Sequence, residues 1–373
     1  MRIAIFHDFM ENAGGSEKMM LQAAKEFRAT IITTNVNYEA VKAMQIKGVE
    51  IIDLGRTPKH FILKHLVICA KFFLCDFRKD FDFFIFSGNR SIFAAYRHRP
   101  NFWYCNSPER SVFDLYEFYK KILPPHNRIL FAASAVLFRL AYLGFAVPNV
   151  QHIIANSENV KKRISTYLKR DSAIIHPPVE TGNFRHGRNG GYWLSVNRLY
   201  PGKRLELQLE AFKMMPDEKL VIIGGHVEGD VSEQYMGKIL GMLPENVSAA
   251  GVVDEDELVG LYAGCRGFVT TSMDEDFGLT AVEAMASGKA VVAVDEGGYR
   301  ETIVHGKTGY LVRPDPHAIA DAVRKISKKP GSYKGDCIER AREFDLKIFI
   351  DKMKNEIRGH SWLNAECLCR KMD

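Results

Sequence analysis

The most informative segment of the chain is residues 271–288, which read TSMDEDFGLTAVEAMASG. Apolar residues before it predict a strand, a polar loop follows, and the pattern then predicts a helix over Leu279–Ser287. Gly278 lets the backbone approach a ligand closely, and the amides of Leu279 and Thr280 at the helix start can hold an anion. The segment therefore predicts a strand, loop and helix unit that binds an anionic ligand.

Two carboxylates of this segment are candidate binding groups. Glu275 lies in the loop, where it can accept hydrogen bonds from sugar hydroxyls. Glu283 falls on the apolar face of the predicted helix, where a carboxylate is costly unless it is hydrogen-bonded or paired. The two hydroxyls of a ribose would satisfy Glu283. The alternative is a core glutamate bonded to backbone amides or to an arginine.

A second cluster, residues 195–204, reads SVNRLYPGKR and places cations after another predicted strand. Arg198 closes the strand, and Lys203 is predicted to open a helix after a Pro-Gly turn. A cation at a helix N-terminus opposes the helix dipole by roughly 0.3–1 kcal/mol. A bound diphosphate would reverse that penalty, whereas a solvated basic turn is the alternative.

The first half of the chain carries two weaker signals. Gly15 lies in the run Gly14-Gly15-Ser16-Glu17 after the first predicted strand, which lacks the full dinucleotide-binding glycine pattern. An ordinary strand-to-helix turn is its alternative. Asn106 follows a later strand in the run 104–110, YCNSPER, and its amide can hydrogen-bond a sugar hydroxyl but cannot shuttle a proton at neutral pH.

Short apolar runs alternate with helical patterns along the chain, which predicts parallel sheets in two doubly wound domains. The predicted strands are Ile3–His7, Thr30–Thr34, Val49–Leu54, Phe83–Ser87, Phe102–Asn106, His152–Ala155, Trp193–Asn197, Leu220–Gly224, Val247–Ala250, Gly267–Thr271 and Ala290–Val294. The prolines of His176-Pro177-Pro178-Val179 predict a stiff connection between the domains. We expect domains at 1–176 and 177–345, followed by a C-terminal helix and tail at 346–373.

Charge and aromatic residues are concentrated between Leu54 and Arg128. This stretch holds 13 Lys/Arg against 6 Asp/Glu, and 17 of the 41 aromatic residues. An anionic membrane surface, nucleic acid, and an aromatic core with solvated lysines are the three interpretations. We expect the first through the stretch Pro58–Lys79, with no nucleic-acid partner; the candidate residues are Lys59, Lys64, Lys71, Arg78 and Lys79.

No run of 18 uncharged apolar residues occurs, since Arg139 interrupts the segment Ile129–Val150. The sequence opens directly on a predicted strand without a signal peptide. We therefore expect a cytoplasmic protein, peripheral at the inner face of the membrane. The motifs of P-loop and HExxH enzymes are missing, and we expect no metal site and no cofactor.

The spacing of Glu275 and Glu283, with the trailing residues 284–293, AMASGKAVVA, resembles the signature of retaining glycosyltransferase family 4. The resemblance implies the GT-B fold, two Rossmann-like domains facing across a cleft. It also implies that Glu275 contacts the donor sugar, that Glu283 contacts the ribose, and that Arg198 and Lys203 hold the diphosphate of the donor. Asn106 stands where the family often has a histidine, so it replaces that catalytic candidate here.

The same resemblance implies a nucleotide-diphosphate sugar as donor and a glycan or lipid-linked acceptor. GDP-mannose is the preferred donor because residues 104–110 look like those of mannosyltransferases of polysaccharide pathways, while UDP-sugars stay open. No residue pattern marks a protein nucleophile, so front-face attack is expected. The alternatives are a sugar-nucleotide epimerase or hydrolase on the same scaffold and a non-catalytic partner subunit.

Overall fold

The structure, a computed structural model, describes residues 1–58, 61–225 and 231–359. The chain forms two compact units, each built on its own parallel sheet. Unit 1 contains Met1–His176 together with the chain from Ile350 onward, and unit 2 contains Pro177–Phe349. The expected two-domain α/β fold is confirmed.

Unit 1 has a seven-stranded sheet in the order β3-β2-β1-β4-β5-β6-β7, with every described pair parallel. The strands are β1 Ile3–His7, β2 Thr30–Thr33, β3 Ile51–Asp53, β4 Phe83–Ser87, β5 Asn101–Cys105, β6 His152–Ala155 and β7 Ala173–Ile174. The central strands are continuous apolar runs because helices cover both faces of a parallel sheet.

Aromatic rings fill much of the core of unit 1. Phe6 of β1 lies against Phe72, Phe86 and His98, with ring centroids 6.1, 5.2 and 4.9 Å away. Nine of the 17 aromatic residues between Leu54 and Arg128 are buried. The aromatic enrichment of this stretch therefore belongs largely to the core.

The described part of residues 1–176 contains seven α-helices. They are α1 Gly15–Phe27, α2 Tyr38–Ala43, α3 Phe61–Leu74, α4 Tyr116–Ile122, α5 Pro125–Ala141, α6 Val147–Asn149 and α7 Glu158–Arg163. Helix α5 continues through a π-helical turn, Tyr142–Ala146, into α6. The residues Pro125–Asn149 thus form one helical segment of 25 residues, whose most apolar window of 18 residues has a mean hydropathy of 1.9.

That segment is long and apolar enough to cross a membrane by length and composition alone, although only 17% of its most apolar window is buried in the protein. The sequence alone does not predict a membrane-spanning helix here, because Arg139 interrupts the apolar run. In the structure Arg139 does not break the helix. Its side chain turns toward the protein, where Nε donates to the carbonyl oxygen of Val112 at 2.5 Å.

Unit 2 has a six-stranded parallel sheet in the order β10-β9-β8-β11-β12-β13. The strands are β8 Tyr192–Val196, β9 Lys219–Ile223, β10 Val247–Gly251, β11 Gly267–Thr270, β12 Val291–Val294 and β13 Gly309–Val312. The helices are α8 Leu205–Lys213, α9 Val231–Leu240, α10 Glu255–Gly264, α11 Leu279–Ala286, α12 Tyr299–Thr302, α13 Pro316–Ser327, α14 Lys334–Arg342 and α15 Leu346–Gly359.

Helix α15 begins in unit 2, and its residues from Ile350 belong to unit 1. Within unit 1, Glu356 of this helix lies 3.3 Å from Nε2 of His152 at the start of β6. The bridge between Val179 and Asp345 ties the first extended residues of unit 2 to the residue before α15. Both ends of unit 2 are therefore joined to each other inside that unit.

Each sheet reverses its strand order between two neighbouring strands, β1 and β4 in unit 1 and β8 and β11 in unit 2. In open α/β sheets, ligands bind beyond the carboxyl ends of the strands at such a reversal. The residues that follow β8 and β11 are 197–204 and 271–278, which contain most of the predicted donor-binding residues.

Candidate functional site

The loops after β8 and β11 in unit 2 are hydrogen-bonded to each other. The amide of Met273 donates to the carbonyl oxygen of Gly202 at 2.8 Å, and Oγ1 of Thr271 donates to that of Lys203 at 2.7 Å. Thr271 is fully buried, so these bonds are shielded from water. The two predicted clusters are thus parts of one structure.

Lys203 and Glu275 form an ion pair, with Nζ 2.7 Å from Oε2 and each side chain about a quarter exposed. Lys203 ends a 3₁₀ turn, Pro201–Lys203, and does not open a helix as predicted. The next residue, Arg204, has a left-handed backbone with φ of 49°, and α8 begins only at Leu205.

Arg198 lies two residues beyond the end of β8, and its side chain is exposed. Within residues 1–58, 61–225 and 231–359 it makes no ion pair, in contrast to Lys203. An arginine carries five donors in a fixed fork that suits phosphate oxygens. Arg198 is therefore available to an anion at the carboxyl end of β8.

Arg204 and Glu296 connect the same two loops through hydrogen bonds. The guanidinium of Arg204 makes two bonds to the carboxylate of Glu296, at 3.1 and 2.7 Å, and Nε donates to the carbonyl oxygen of Thr271 at 2.9 Å. Glu296, which follows β12, also accepts from the amide of Asp274 at 3.1 Å. This bidentate pair fixes the backbone that leads to Glu275.

Two glycines allow the loop of Glu275 to pack closely on the turn after β12. A Cβ on Gly297, whose φ is +53°, would lie 2.3 Å from the carbonyl oxygen of Glu275. A Cβ on Gly298 would lie 2.4 Å from Cα of Phe277, and the amide of Gly298 donates to Glu275 at 2.8 Å. Only glycine at both positions permits this approach.

Helix α11 begins where the sequence predicts, with Gly278 as N-cap at φ of 97°. A Cβ on Gly278 would lie 2.7 Å from the ring of Tyr299. The amides of Leu279 and Thr280 are in the first turn, where no residue four positions earlier can accept from them within the helix. The helix therefore presents N–H groups and a positive dipole end beside the loop of Glu275.

Glu283 is half-buried on α11, and its Oε2 accepts from the hydroxyl of Tyr262 at 2.8 Å. Burial, together with the charge of Glu283, raises the pKa of Tyr262 well above its ordinary value, so the hydroxyl keeps its proton. A tyrosine hydroxyl is thus one protein partner of Glu283.

In unit 1, Gly15 is the first residue of α1 and Gly14 is its N-cap. A Cβ on Gly14 would lie 2.4 Å from Oε2 of Glu17, which also accepts from the hydroxyl of Ser16 at 2.8 Å. Burial opposes ionisation of Glu17, but hydrogen bonds with His7 and Ser16 outweigh it, and the pKa of Glu17 lies below its ordinary value. The glycine run therefore packs against a buried carboxylate.

A second carboxylate, Asp8, organises the carboxyl end of β1. Its oxygens accept from the amides of Asn89, Arg90 and Ser91 at 2.7–3.1 Å, which closes the turn after β4. A Cβ on Gly88, at φ of +123°, would lie 2.3 Å from Oδ1 of Asp8. Asp8 thus ties the end of β1 to the turn after β4.

Arg90 is buried between two carboxylates, with Nη1 2.5 Å from Glu109 and 3.8 Å from Asp8. Burial opposes ionisation of Glu109, but the charge of Arg90 and a hydrogen bond from Ser111 lower its pKa below the ordinary value. Burial and the charge of Arg90 lower the pKa of nearby His65 to about 3, so this imidazole is neutral at physiological pH.

Asn106 immediately follows β5 and is half-buried. Its neighbour Ser107 accepts through its carbonyl oxygen from Nδ2 of Asn89 at 3.2 Å and through its hydroxyl from Arg163 at 2.9 Å. Asn106 therefore lies at the carboxyl edge of the unit 1 sheet, as do Asp8 and Asn89. The predicted donor-binding residues other than Gly15 lie in unit 2.

Sequence patterns do not single out five charged residues of these two edges: Arg204 and Glu296 in unit 2, and Asp8, Arg90 and Glu109 in unit 1. Each lies one to four residues beyond a strand end or, for Arg204, just before a helix. That position was the available signal, because parallel strands bring their carboxyl ends together at one edge. In the part of the chain that the structure describes, no group of three or more His, Cys, Asp and Glu side chains could hold a metal ion.

Comparison with known proteins identifies the class. Residues 183–344 match the family model described as glycosyl transferases group 1. The alpha-1,3/1,6-mannosyltransferase ALG2 of Dictyostelium discoideum is 23% identical, over 88% of this chain and 90% of that protein. The O-antigen chain mannosyltransferase RfbU of Salmonella typhimurium is 28% identical, over 61% of this chain and 63% of that protein.

Solved structures agree in fold. Anabaena Alr3699/HepE in complex with UDP and glucose has a TM-score of 0.75 at 17% identity, covering 96% of this chain and 100% of that chain. The sucrose-phosphate synthase of Thermosynechococcus elongatus has a TM-score of 0.74 at 16% identity, covering 96% and 99%. The chain is therefore a glycosyltransferase with the two-domain GT-B architecture. Its residues 183–344 are a glycosyl transferases group 1 domain, and its homologues include mannosyltransferases.

Proposed function

We propose that this glycosyltransferase moves mannose from GDP-mannose to a glycan or lipid-linked acceptor with retention of configuration, at the inner face of an anionic membrane. The observation that carries the proposal is the arrangement after β8 and β11. There Arg198, the pair of Lys203 with Glu275, and the start of α11 belong to loops that are hydrogen-bonded to each other.

The diphosphate of the donor is assigned to Arg198, Lys203 and the amides of Leu279 and Thr280. These groups stabilise the negative charge that develops on the leaving phosphate, and such preorganised electrostatic stabilisation is usually the largest catalytic contribution. Because Lys203 already pairs with Glu275, donor binding replaces part of that pairing with phosphate. Gly278 keeps the helix start free of a side chain that would block the approach.

Glu275 is assigned to the hydroxyls of the donor sugar and Glu283 to the hydroxyls of the ribose. Tyr262 donates to one oxygen of Glu283 and so orients the carboxylate toward its ligand. In this scheme the glycosidic bond breaks toward an oxocarbenium-like state, the acceptor hydroxyl attacks from the same face, and the leaving phosphate accepts its proton. The assignment of retention follows the resemblance to family 4, with which the group 1 domain is consistent.

In unit 1, Gly15 is assigned to the approach of a donor phosphate and Asn106 to a hydrogen bond with a sugar hydroxyl. Both assignments rest on the family resemblance. The preference for mannose is supported by the two mannosyltransferase relatives, whereas the structural neighbour Alr3699/HepE was solved with UDP and glucose. GDP-mannose is thus the first donor to test, and UDP-glucose is its competitor.

The experiment is to incubate the purified chain with GDP-mannose, GDP-fucose, UDP-glucose and UDP-N-acetylglucosamine, and to measure release of the nucleoside diphosphate with and without a lipid-extract acceptor. We expect GDP release from GDP-mannose that rises when acceptor is added, and an axial anomeric linkage by NMR of the product. Faster turnover of a UDP-sugar would overturn the donor assignment, and an inverted linkage would overturn retention.

A further inference from the structure

Helix α5 exposes an apolar side to solvent in the folded chain. Its exposed large side chains are Ile129, Leu130, Val136, Leu137 and Leu140, which are 51–81% exposed. Spacings of three, four and seven residues place these five on one side of the helix. We call them the α5 apolar face. Ala133, also exposed, lies between them, so no polar side chain interrupts this face.

The opposite side of α5 packs on unit 1. The ring of Phe138 lies 6.4 Å from that of Phe93, between centroids, and the guanidinium of Arg90 lies 5.7 Å from the ring of Phe138. Arg139, the one charged residue between Ile129 and Val150, lies over the ring of Tyr116 at 4.7 Å. The helix therefore turns its aromatic and charged residues inward and its aliphatic residues outward. That is the reverse of a helix on the surface of a water-soluble protein.

The charged side chains that neighbour α5 along the sequence are basic. No Asp or Glu occurs between Glu117 and Glu158, while Lys120, Lys121 and Arg128 lie at or just before the first turns of the helix. Lys121 is exposed, and Lys120 lies along the ring of Tyr116 at 5.6 Å. An aliphatic face bordered by cations and free of acids complements an anionic lipid surface, where acyl chains take the former and headgroups the latter.

A second exposed apolar stripe lies on α3, formed by Leu63, Leu66, Phe73 and Leu74. Phe73 lies against Phe145, just beyond α5, with 5.6 Å between ring centroids. The lysines of α3 are engaged within the protein, since Lys64 pairs with Glu11 at 2.6 Å and Lys71 donates to Leu54 at 2.5 Å. Lys59 lies outside the described residues. Helix α3 thus exposes apolar side chains, whereas Lys64 and Lys71, expected from the sequence to face a membrane, are bonded within the protein.

We propose that the α5 apolar face is the surface by which this chain lies on an anionic bilayer. The helix lies in the plane of the headgroups and does not cross the membrane, because crossing would break the contacts of Phe138, Arg139 and Tyr142 with unit 1. These inward contacts reach Arg90 after β4 and Val112 after β5. The membrane-bound helix therefore lies beside the carboxyl edge of the unit 1 sheet. The inference rests on the proposed lipid-linked acceptor for its purpose, but its test does not need an acceptor.

The test uses the full chain and acceptor-free vesicles of phosphatidylcholine with or without 30% phosphatidylglycerol, as an experimental composition chosen to vary surface charge. We expect flotation of the wild-type chain with the anionic vesicles. The double variant Leu137→Glu/Leu140→Glu should bind them at least about tenfold more weakly even at low salt, because two acyl contacts are replaced by carboxylates facing anionic headgroups. The matched control is Leu240→Glu/Val252→Glu, which changes two exposed apolar side chains of unit 2 and should bind like wild type.

Release of nucleoside diphosphate in vesicle-free buffer separates this inference from the proposed function, since both double variants should retain it. A single variant, Leu137→Trp, should show a blue shift of emission on binding anionic vesicles. Equal vesicle binding by wild type and Leu137→Glu/Leu140→Glu would overturn the proposal. Absence of wild-type binding, with self-association in sedimentation velocity that the same variant abolishes, would also overturn it and assign the α5 apolar face to a second copy of the chain.

Discussion

The carboxyl edges of the two sheets are built in contrasting ways. At the edge of unit 1 the charges are buried and neutralise one another, as in Arg90 between Asp8 and Glu109. At the edge of unit 2 they are partly exposed, with Arg198 open to solvent and Lys203 paired with Glu275. A buried network fixes a shape, whereas half-exposed cations can exchange partners with a ligand. The comparison indicates that the Arg90 cluster of unit 1 serves architecture, whereas unit 2 keeps Arg198 and Lys203 for binding beside the structural pair of Arg204 with Glu296.

The largest expected effect is on stability, from Arg90→Met in unit 1. Removing the cation leaves Glu109 and Asp8 buried without their counter-charge, which should lower the free energy of unfolding by about 3–5 kcal/mol. Urea unfolding followed by circular dichroism measures this. The matched control is Arg78→Met, which should barely change the free energy of unfolding because Arg78 pairs with Asp76 at an exposed site.

Adding Glu109→Gln to Arg90→Met should recover part of the loss, since it removes one of the two uncompensated charges. Asp8 keeps its bonds from the amides of Asn89, Arg90 and Ser91. A loss no larger than that of Arg78→Met would show that the cluster is not architectural. The distinction between the two edges would then fail on the unit 1 side.

On the unit 2 side, Arg198→Ala and Lys203→Ala should each lower turnover by at least about 100-fold, the scale for removing one preorganised donor to developing charge. Unfolding free energy should change little, because Arg198 is exposed and the side chains of Lys203 and Glu275 are each about a quarter exposed. Single-turnover release of nucleoside diphosphate is the measurement. Lys213→Ala, at an exposed position in the same unit, should retain wild-type turnover. Near-wild-type turnover in either test variant would move the diphosphate elsewhere.

The same contrast explains what could be predicted from the sequence. The residues of unit 2 are close along the chain: Arg198 and Lys203 lie in one loop, and Gly278 and Glu283 follow one strand. Their contiguity made them recognisable. Asp8, Arg90 and Glu109 come from three separate loops, and only the strand order of the sheet brings them together. A pattern within one segment cannot report such a cluster.

Secondary structure followed the same logic. The strands Ile3–His7, Phe83–Ser87 and His152–Ala155 have the predicted bounds, because each is an apolar run with one polar residue at an end. Strand β13 was missed because it begins at Gly309, with φ of +153°, where a Cβ would lie 1.9 Å from the carbonyl oxygen of Val291. The exposure of α5 was missed as well, since an apolar helical pattern predicts a buried helix by default.

The pH dependence of stability should differ between the units. Burial lowers the pKa of His98 and, with the charge of Arg90, lowers that of His65 to about 3. The ordinary value is about 6.5, so below that pH the unfolded chain binds protons that the folded chain refuses. The stability that these neutral histidines contribute to unit 1 is therefore full above pH 6.5 and lost as pH falls toward 3, by about 1.4 kcal/mol at pH 5.5 for His65.

Hydrogen exchange at pH 7.5 and 5.5, corrected for intrinsic rates, measures this loss in each unit separately. His98 has a structural reason to stay neutral, since its Nε2 accepts from the amide of Phe77 at 3.0 Å and its Nδ1 lies 2.8 Å from the carbonyl oxygen of Ala94. His65→Gln should remove part of the pH dependence, and His126→Gln, at an exposed position, should leave it intact. A decline that is equal in both units would contradict the prediction.

The smallest expected effect concerns Glu283, which combines features of both edges because it is half-buried, bonded to Tyr262 and assigned to a ligand. Glu283→Gln keeps the shape and removes the charge, so affinity for GDP should fall about tenfold, the equivalent of roughly 1.4 kcal/mol for one charged hydrogen-bond acceptor. Tyr262→Phe removes one hydrogen bond to Glu283 and keeps its carboxylate, so it should weaken GDP binding less than Glu283→Gln. Calorimetry with GDP and with UDP tests both, and circular dichroism checks that each variant is folded. Unchanged affinity of Glu283→Gln for both nucleotides would show that Glu283 serves the core through Tyr262. The binding edge of unit 2 would then end at Glu275 and the start of α11.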